Sequence, residues 1–288
     1  MSADVHQKNK GVRLAVGFFD GVHLGHQAIL KNARFALTFG RHPFSVLAPE
    51  RSPRLLMTLE ERVEAIKAAG PSEVAVLDFD SGLARMPPVR FVEDVILSRF
   101  GEVHVYCGDN WRFGANGKGD VALLRSMGLE ATVVPYAEYK GKPVSSTRIR
   151  SALEAGEIED ANAMLGRGFT VVGTAFKGKG RGARLGFPTV NLRLSALDLR
   201  LPLGVYEVAA AGMSAVANYG FAPTMGESRW RSPVLELHFL GSPADIPSEG
   251  RIEVAFVRFI RPERVFASVD DLKAQLARDV ARAASDFA

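Results

Sequence analysis

At 288 residues the chain is long enough for two domains of ordinary size, and an apolar share of 47% suffices for packed cores. No apolar run approaches the roughly 20 residues of a membrane span, and the polar stretch Met1 to Lys10 lacks the apolar core of a secretory signal. One cysteine, Cys107, excludes an internal disulfide and points to a cytoplasmic location, while a net charge of +4 with dispersed basic residues suits anionic small molecules no less than nucleic acid.

The apolar run Val12 to Val16 reads as a buried strand. It leads into Gly17-Phe18-Phe19-Asp20-Gly21-Val22-His23-Leu24-Gly25-His26 and then a helix-compatible stretch, Gln27 to Lys31. Strand, glycine-rich turn and helix start, in that order, make a phosphate site, because the first turn of a helix has unpaired N–H donors. Gly17, Phe18, Asp20 and Gly25 are the candidate phosphate-binding positions. His23 and His26 are three apart, so at a helix start they face one point and can stabilise charge on a phosphate under attack. The competing readings are ordinary loop histidines and a zinc site, the latter a poor one with no cysteine nearby. The pattern resembles the His-x-x-His motif of the nucleotidyltransferase superfamily.

Phe35 to Phe39 is the second expected strand. Thr58-Leu59-Glu60-Glu61 is a capping box, followed by an apolar face of Leu59, Val63 and Ile66 and a stop at Gly70-Pro71. Strands follow at Glu73 to Phe79, Val103 to Cys107 and Ala131 to Tyr136. Helices are expected over Pro88 to Phe100, with Phe91, Val95 and Ile96 inward, and near Val121 to Met127. Alternating strands and helices imply a parallel, Rossmann-like α/β sheet that binds ligands at the carboxyl ends of its strands. Two loops belong there: Gly108 to Gly114, with Asn110 and Trp111, and Val144 to Arg150, with Ser145, Ser146, Thr147, Arg148 and Arg150. Plain capping and a polar turn are the competing readings of these loops.

Together, Gly17 to His26, Gly108 to Gly114 and Val144 to Arg150 resemble the adenylyltransferase module of bacterial bifunctional riboflavin kinase/FAD synthetases. The resemblance implies that His23 and His26 bind ATP phosphates and the transition state, that Asn110 contacts the nucleotide, and that Ser146, Thr147 and Arg150 hold the triphosphate. One departure stands out. Only the ten residues Ala28 to Leu37 separate Gln27 from Thr38, where family members have a longer stretch. Either the first helix is a stub or part of the chain is missing there.

Arg148 to Leu165 reads as two short helices broken at Gly156. The pattern then changes to strands: Phe169 to Phe176, Gly204 to Ala210, Ser214 to Tyr219, Pro233 to Leu240 and Arg251 to Ile260, an antiparallel sheet or barrel. A closing helix is capped by Ser268 and carries Val269, Leu272, Leu276 and Val280 on one face. Within this half, the basic loop Lys177-Gly178-Lys179-Gly180-Arg181-Gly182 precedes Gly186-Phe187-Pro188-Thr189-Val190-Asn191. Thr189 and Asn191 share a face of an extended segment and offer two neutral oxygens to a magnesium–nucleotide complex. A flexible hairpin tip and a proline turn are the competing reading. In Val234 to Leu240, Glu236 and His238 project to one face. A carboxylate inside the barrel would deprotonate a hydroxyl for phosphoryl transfer; a solvent-facing pair is the alternative.

Gly186 to Asn191, Gly204-Val205-Tyr206, Asn218-Tyr219-Gly220 with Pro223-Thr224, and Leu235 to His238 resemble the riboflavin kinase module of the same family. The resemblance implies that Gly180, Gly186, Pro188, Thr189 and Asn191 bind magnesium-ATP, with Thr189 and Asn191 as the metal's protein ligands. It also implies that Glu236 activates the ribityl 5′-hydroxyl. Ala222, and Ala244-Asp245-Ile246-Pro247, depart from the family pattern. The expectation is therefore an α/β nucleotidyltransferase domain over 1–165 and a β-barrel kinase domain over 166–288. It would convert riboflavin to FMN and FMN to FAD with Mg-ATP, with no nucleic-acid or membrane partner and self-association left open. The competing expectations are a single retained activity, or a flavin-binding regulator.

Overall fold

Five short apolar segments pair into the first sheet: β1 (Val12–Val16), β2 (Phe35–Phe39), β3 (Glu73–Leu77), β4 (Val103–Gly108) and β5 (Glu130–Val134). The computed structural model describes residues 11–177, 182, 186–194, 201–221, 233–240 and 249–284. The order is β3-β2-β1-β4-β5 and every pairing is parallel, as the alternation of strands and helices predicts. Both faces are covered over most of their length. Leu14, Val16, Leu37, Val105 and Cys107 pack under Phe91, Val92, Val95, Ile96 and Leu124. Ala15 and Ala36 pack under Phe19, Ile29, Leu30 and Ile66 on the other side. Strands covered on both faces read as near-continuous apolar runs, which is why the sequence exposes them.

The first crossover closes with a stub helix, Leu24–Leu30. Counted from the end of β1, the connection spans residues 17–34, long enough for a parallel crossover. The helix begins three residues before Gln27 because His23 caps it in an extended conformation. The expected helix over Pro88 to Phe100 forms, but its middle, Phe91–Leu97, is wound as a π-helix. The capping box at Thr58 and Glu61 is present on helix Leu59–Ala68. A two-stranded hairpin, β6 (Glu138–Tyr139) and β7 (Lys142–Pro143), follows β5.

The chain divides into two compact units, Met1–Ser146 and Thr147–Ala288. In the second, helices Ser146–Ala155 and Ile158–Leu165 are separated at Gly156, whose φ of +79° favours glycine. Six strands close into an antiparallel barrel: β8 (Phe169–Phe176), β9 (Val190–Leu194), β10 (Gly204–Ala210), β11 (Met213–Gly220), β12 (Val234–Phe239) and β13 (Arg251–Pro262), in the order β10-β11-β12-β9-β8-β13. The barrel interior is apolar and fully buried, with Tyr206, Val208, Ala217, Leu235, Leu237 and Phe256 among its residues. The closing helix, Val269–Ala284, lies on the outside, with Val280 and Ala283 against Val205, Val216 and Ile260. Among the described residues, no helix is long and apolar enough to cross a membrane.

Candidate active sites

In the first unit the strand order reverses between β1 and β4, which places the glycine-rich loop after β1 beside the Gly108 loop after β4. His23 is the N-cap, and its Nδ1 accepts from the backbone N–H of His26 at 3.4 Å. The two imidazoles stack at 3.7 Å with 18° between planes, and Phe19 meets the His26 ring edge-on at 5.3 Å. Burial, and then the neighbouring His23, hold the His26 pKa well below the ordinary histidine value. His26 is therefore neutral at pH 7, and its buried Nδ1 has no hydrogen-bond partner among the described residues.

The loop is held in a strained shape. Phe19 has φ +59° and the β-branched Val22 has φ +41°, positions that cost energy and persist only where the surroundings enforce them. The surroundings are visible. The buried Asp20 carboxylate accepts from the Leu56 N–H at 3.0 Å, and the Asp20 carbonyl accepts from the Ser146 hydroxyl at 2.8 Å. The Thr38 hydroxyl donates to the Phe18 carbonyl at 3.0 Å. A Cβ at Gly17 would lie 2.9 Å from the Phe19 ring, and one at Gly25 3.2 Å from the His23 ring. The structure thus brings Gly17, Phe18, Asp20, His23, Gly25, His26 and Ser146 together. Asn110 joins them at the neighbouring strand end, its Oδ1 next to Gly108, which also borders Ile29. Thr147 and Arg150 lie on helix Ser146–Ala155, with the Arg150 guanidinium donating to the Thr147 hydroxyl at 3.3 Å.

Sequence reasoning missed Arg62. It is fully buried, donates to the Phe39 carbonyl and lies 3.9 Å from the centre of the Phe18 ring. Burial lowers its pKa, against the opposing pull of Asp20. It sits three residues after Leu59 and four before Ile66, in the register of the inward face, so spacing alone marks it.

In the second unit a cavity of about 560 Å³ opens between the outer barrel wall and the closing helix. Glu236, Asn218, Thr189 and His238 line one side, and Leu272, Leu276 and Val280 the other. Glu236 is the register partner of Asn191 on β9 and of Asn218 on β11, so one row of adjacent strands carries all three. The expected placement of Glu236 inside the barrel is corrected here. Leu235 and Leu237 fill the interior, and Glu236 points the other way, into the cavity. An ionised carboxylate inside the apolar barrel would carry a large desolvation cost.

His238 Nδ1 lies 2.9 Å from the Pro188 carbonyl, which only accepts, so Nδ1 carries the proton. Pro188 and Thr189 are thereby tied to β12. Gly182 closes over the same segment: a Cβ there would fall 2.3 Å from the Phe187 carbonyl and 3.1 Å from the Thr189 hydroxyl. Gly186 has φ +88°. Gly180, Ala222 and 244–247 lie outside the described residues.

These two sites sit on two matched families. FAD synthetase matches residues 5–148, and Riboflavin kinase matches residues 165–287. A bifunctional riboflavin kinase/FMN adenylyltransferase from Listeria monocytogenes is 34% identical over 92% of this chain and 89% of its own length. The chain belongs to the bifunctional riboflavin kinase/FMN adenylyltransferase family. The protein of that name from Escherichia coli K12 is 32% identical over 94% of this chain and 91% of its own. A crystal structure titled as a macrolide-efflux protein from Streptococcus pneumoniae matches with a TM-score of 0.83 at 27% identity, over 94% of this chain and 93% of that one.

Kinases of this family use ATP, and the donor set of the barrel site fits magnesium. Thr189 and Asn191 offer hard neutral oxygens beside the Glu236 carboxylate. Among the described residues no group of three or more His, Cys, Asp or Glu could hold a metal. A magnesium ion that takes most of its ligands from phosphates and water needs no such group.

Proposed function

We propose that the two modules work in series, each with ATP. The barrel module, 166–288, phosphorylates riboflavin to FMN. The N-terminal module, 1–165, then adenylates FMN to FAD and releases pyrophosphate. The setting is the cytoplasm, and the partners are riboflavin, FMN and ATP.

The observation that carries this reading is Glu236 and Asn218 facing an apolar helix wall across one cavity, with Asn191 the register partner of Glu236 on the next strand. Glu236 is the general base that takes the proton of the ribityl 5′-hydroxyl as its oxygen attacks the γ-phosphorus of ATP, whose bond to the β–γ bridging oxygen breaks so that ADP leaves. Thr189 and Asn191 would hold magnesium, which neutralises phosphate charge when bound. Gly186 and Pro188 shape the segment over the nucleotide, with His238 fixing Pro188, and Gly180 is a further ATP-binding position. Leu272, Leu276 and Val280 give the flat, largely apolar flavin ring a wall.

In the first module, His23 and His26 stabilise charge on the α-phosphate while the FMN phosphate attacks, and no covalent intermediate forms. Gly17, Phe18 and Gly25 let the backbone approach the phosphates, and Asp20 braces the loop. Asn110 contacts the nucleotide; Ser146, Thr147 and Arg150 hold the triphosphate. Positioning and preorganised charge supply the catalysis.

The test is a timed assay with pure protein, riboflavin, ATP and magnesium, the flavins being separated by chromatography. FMN rises first and FAD follows. FMN without FAD would restrict the chain to the kinase step. FAD only from added FMN would restrict it to the second step. Absence of both products overturns the enzymatic reading in favour of a flavin-binding regulator.

A further inference from the structure

The amino-terminal edge of the parallel sheet carries an open groove of about 620 Å³, at the end of the strands opposite the glycine-rich loop. The stub helix Leu24–Leu30 has seven residues and is about 10 Å long, whereas β4, with six residues, spans about 20 Å. The helix follows the carboxyl end of β1, and none of its residues lines the groove.

There, three neighbouring strands and the residue before a fourth place one side chain each in a row. Arg13 is the register partner of His104, and His104 of Glu130. Arg34, immediately before β2, extends the row on the other side, and its N–H donates to the Arg13 carbonyl at 2.9 Å. At about 4.8 Å per strand the row is about 14 Å long. His104 is fixed at both nitrogens: Nδ1 lies 3.0 Å from a Glu130 carboxylate oxygen and Nε2 lies 2.7 Å from the Thr132 hydroxyl. Its ring stacks on Tyr106 at 4.6 Å with 10° between planes. Among the described residues neither the Arg13 nor the Arg34 guanidinium has a carboxylate partner, and Arg34 lies 5.4 Å from the Phe35 ring.

The groove therefore offers two cations at one end, an immobilised pair of flat rings in the middle, and a carboxylate at the other end. We propose that it binds a purine mononucleotide, separately from both catalytic sites. The phosphate sits on the Arg13 and Arg34 guanidinium groups, whose planar forks match its oxygens. The base stacks on the His104–Tyr106 pair, and its amino group donates to Glu130. The row is long enough to take the phosphate at one end and the base edge at the other.

Histidine ring NMR of the full-length chain, titrated with AMP, tests this site by site. His104 reports the groove, His23 and His26 the first catalytic site, and His238 the second; His104→Gln identifies the groove signal. The expected result is a saturable shift of the His104 signal, with the double variant Arg13→Ala/Arg34→Ala needing about ten-fold more AMP. Both arginines are exposed, so the variant folds, and FMN and FAD formation stay at the parent rates. A His104 signal that does not move at about 10 mM AMP overturns the proposal. So does a shift that survives the double substitution. Equal titration by inorganic phosphate also overturns it, because the base would then contribute nothing.

Discussion

Asn191 and Glu236 are register partners across the β9–β12 ladder, and Glu236 lines the cavity between the outer face of the barrel and the closing helix. The pairing puts an amide oxygen and a carboxylate one strand spacing apart. On the proposed function, the nucleotide's metal and the acceptor hydroxyl would be served by adjacent groups without either being buried in the barrel.

The first prediction follows from that pairing. Glu236→Gln keeps the shape and the ladder but removes the base. FMN formation should fall by about 10²- to 10⁴-fold, while adenylation of supplied FMN stays at the parent rate. Product chromatography with each flavin in turn separates the two. A variant that keeps most of its kinase rate would remove Glu236 from the role of base.

His26→Ala makes the complementary prediction. Loss of one buried neutral imidazole from the stack should lower FAD formation by about 10²-fold and leave FMN accumulating. The histidine also sets an acid limit. Its folded pKa is depressed, so the unfolded chain takes up a proton that the folded chain refuses below the ordinary histidine value. Stability should therefore fall as pH drops below about 6.5. In the alanine variant that fall should be shallower, measured as urea midpoints between neutral and mildly acid pH.

How much of this was legible in the sequence depends on what each residue has to do. The five parallel strands were visible because most of both faces is covered and apolar residues dominate each run, with Arg13, Thr38, His104 and Thr132 as interruptions. The helix start at Leu24 was not, because the cap is a histidine and not a Ser, Thr, Asp or Asn. β9 was read only as an extended segment, although Val190-Asn191-Leu192-Arg193-Leu194 alternates apolar and polar residues as a half-buried strand does. The alternation Leu235–Glu236–Leu237 already held the correct side for Glu236. Placing the carboxylate inside the barrel ignored the apolar neighbours that must go there first. The Asp279 partner of Arg261 could not be read at all, because the pair joins a strand to a helix through the fold alone.

That pair carries the third prediction. Arg261 donates to Asp279 through Nε at 3.1 Å and Nη2 at 2.7 Å, and the Asp279 side chain is 2% exposed. Gln275 adds a third donor at 2.8 Å. Asp279→Ala leaves a guanidinium without its counter-charge and should destabilise the barrel by about 3 kcal/mol. Because the same helix supplies the wall of Leu272, Leu276 and Val280, the riboflavin KM should rise more than kcat falls. Asp279→Glu should recover part of both.

Cys107 gives the last prediction, at the alkaline end. The thiol is completely buried on β4, and burial is the main cause that pushes its pKa from 9.0 up to about 11. The folded chain therefore holds its thiol proton where the unfolded chain has lost it. Stability is untouched below the unfolded pKa and falls as pH rises from about 9 toward 11, by about 2–3 kcal/mol across the window. Other alkaline groups titrate in the same range, so the quantity to measure is the difference between parent and Cys107→Ala. The variant starts less stable at pH 8, having lost packing, and should then lose less than the parent by pH 10.5. A thiol reagent should label the native parent at pH 8 only as fast as the chain opens. Prompt labelling of the folded protein would mean that Cys107 is neither buried nor protonated as the fold requires.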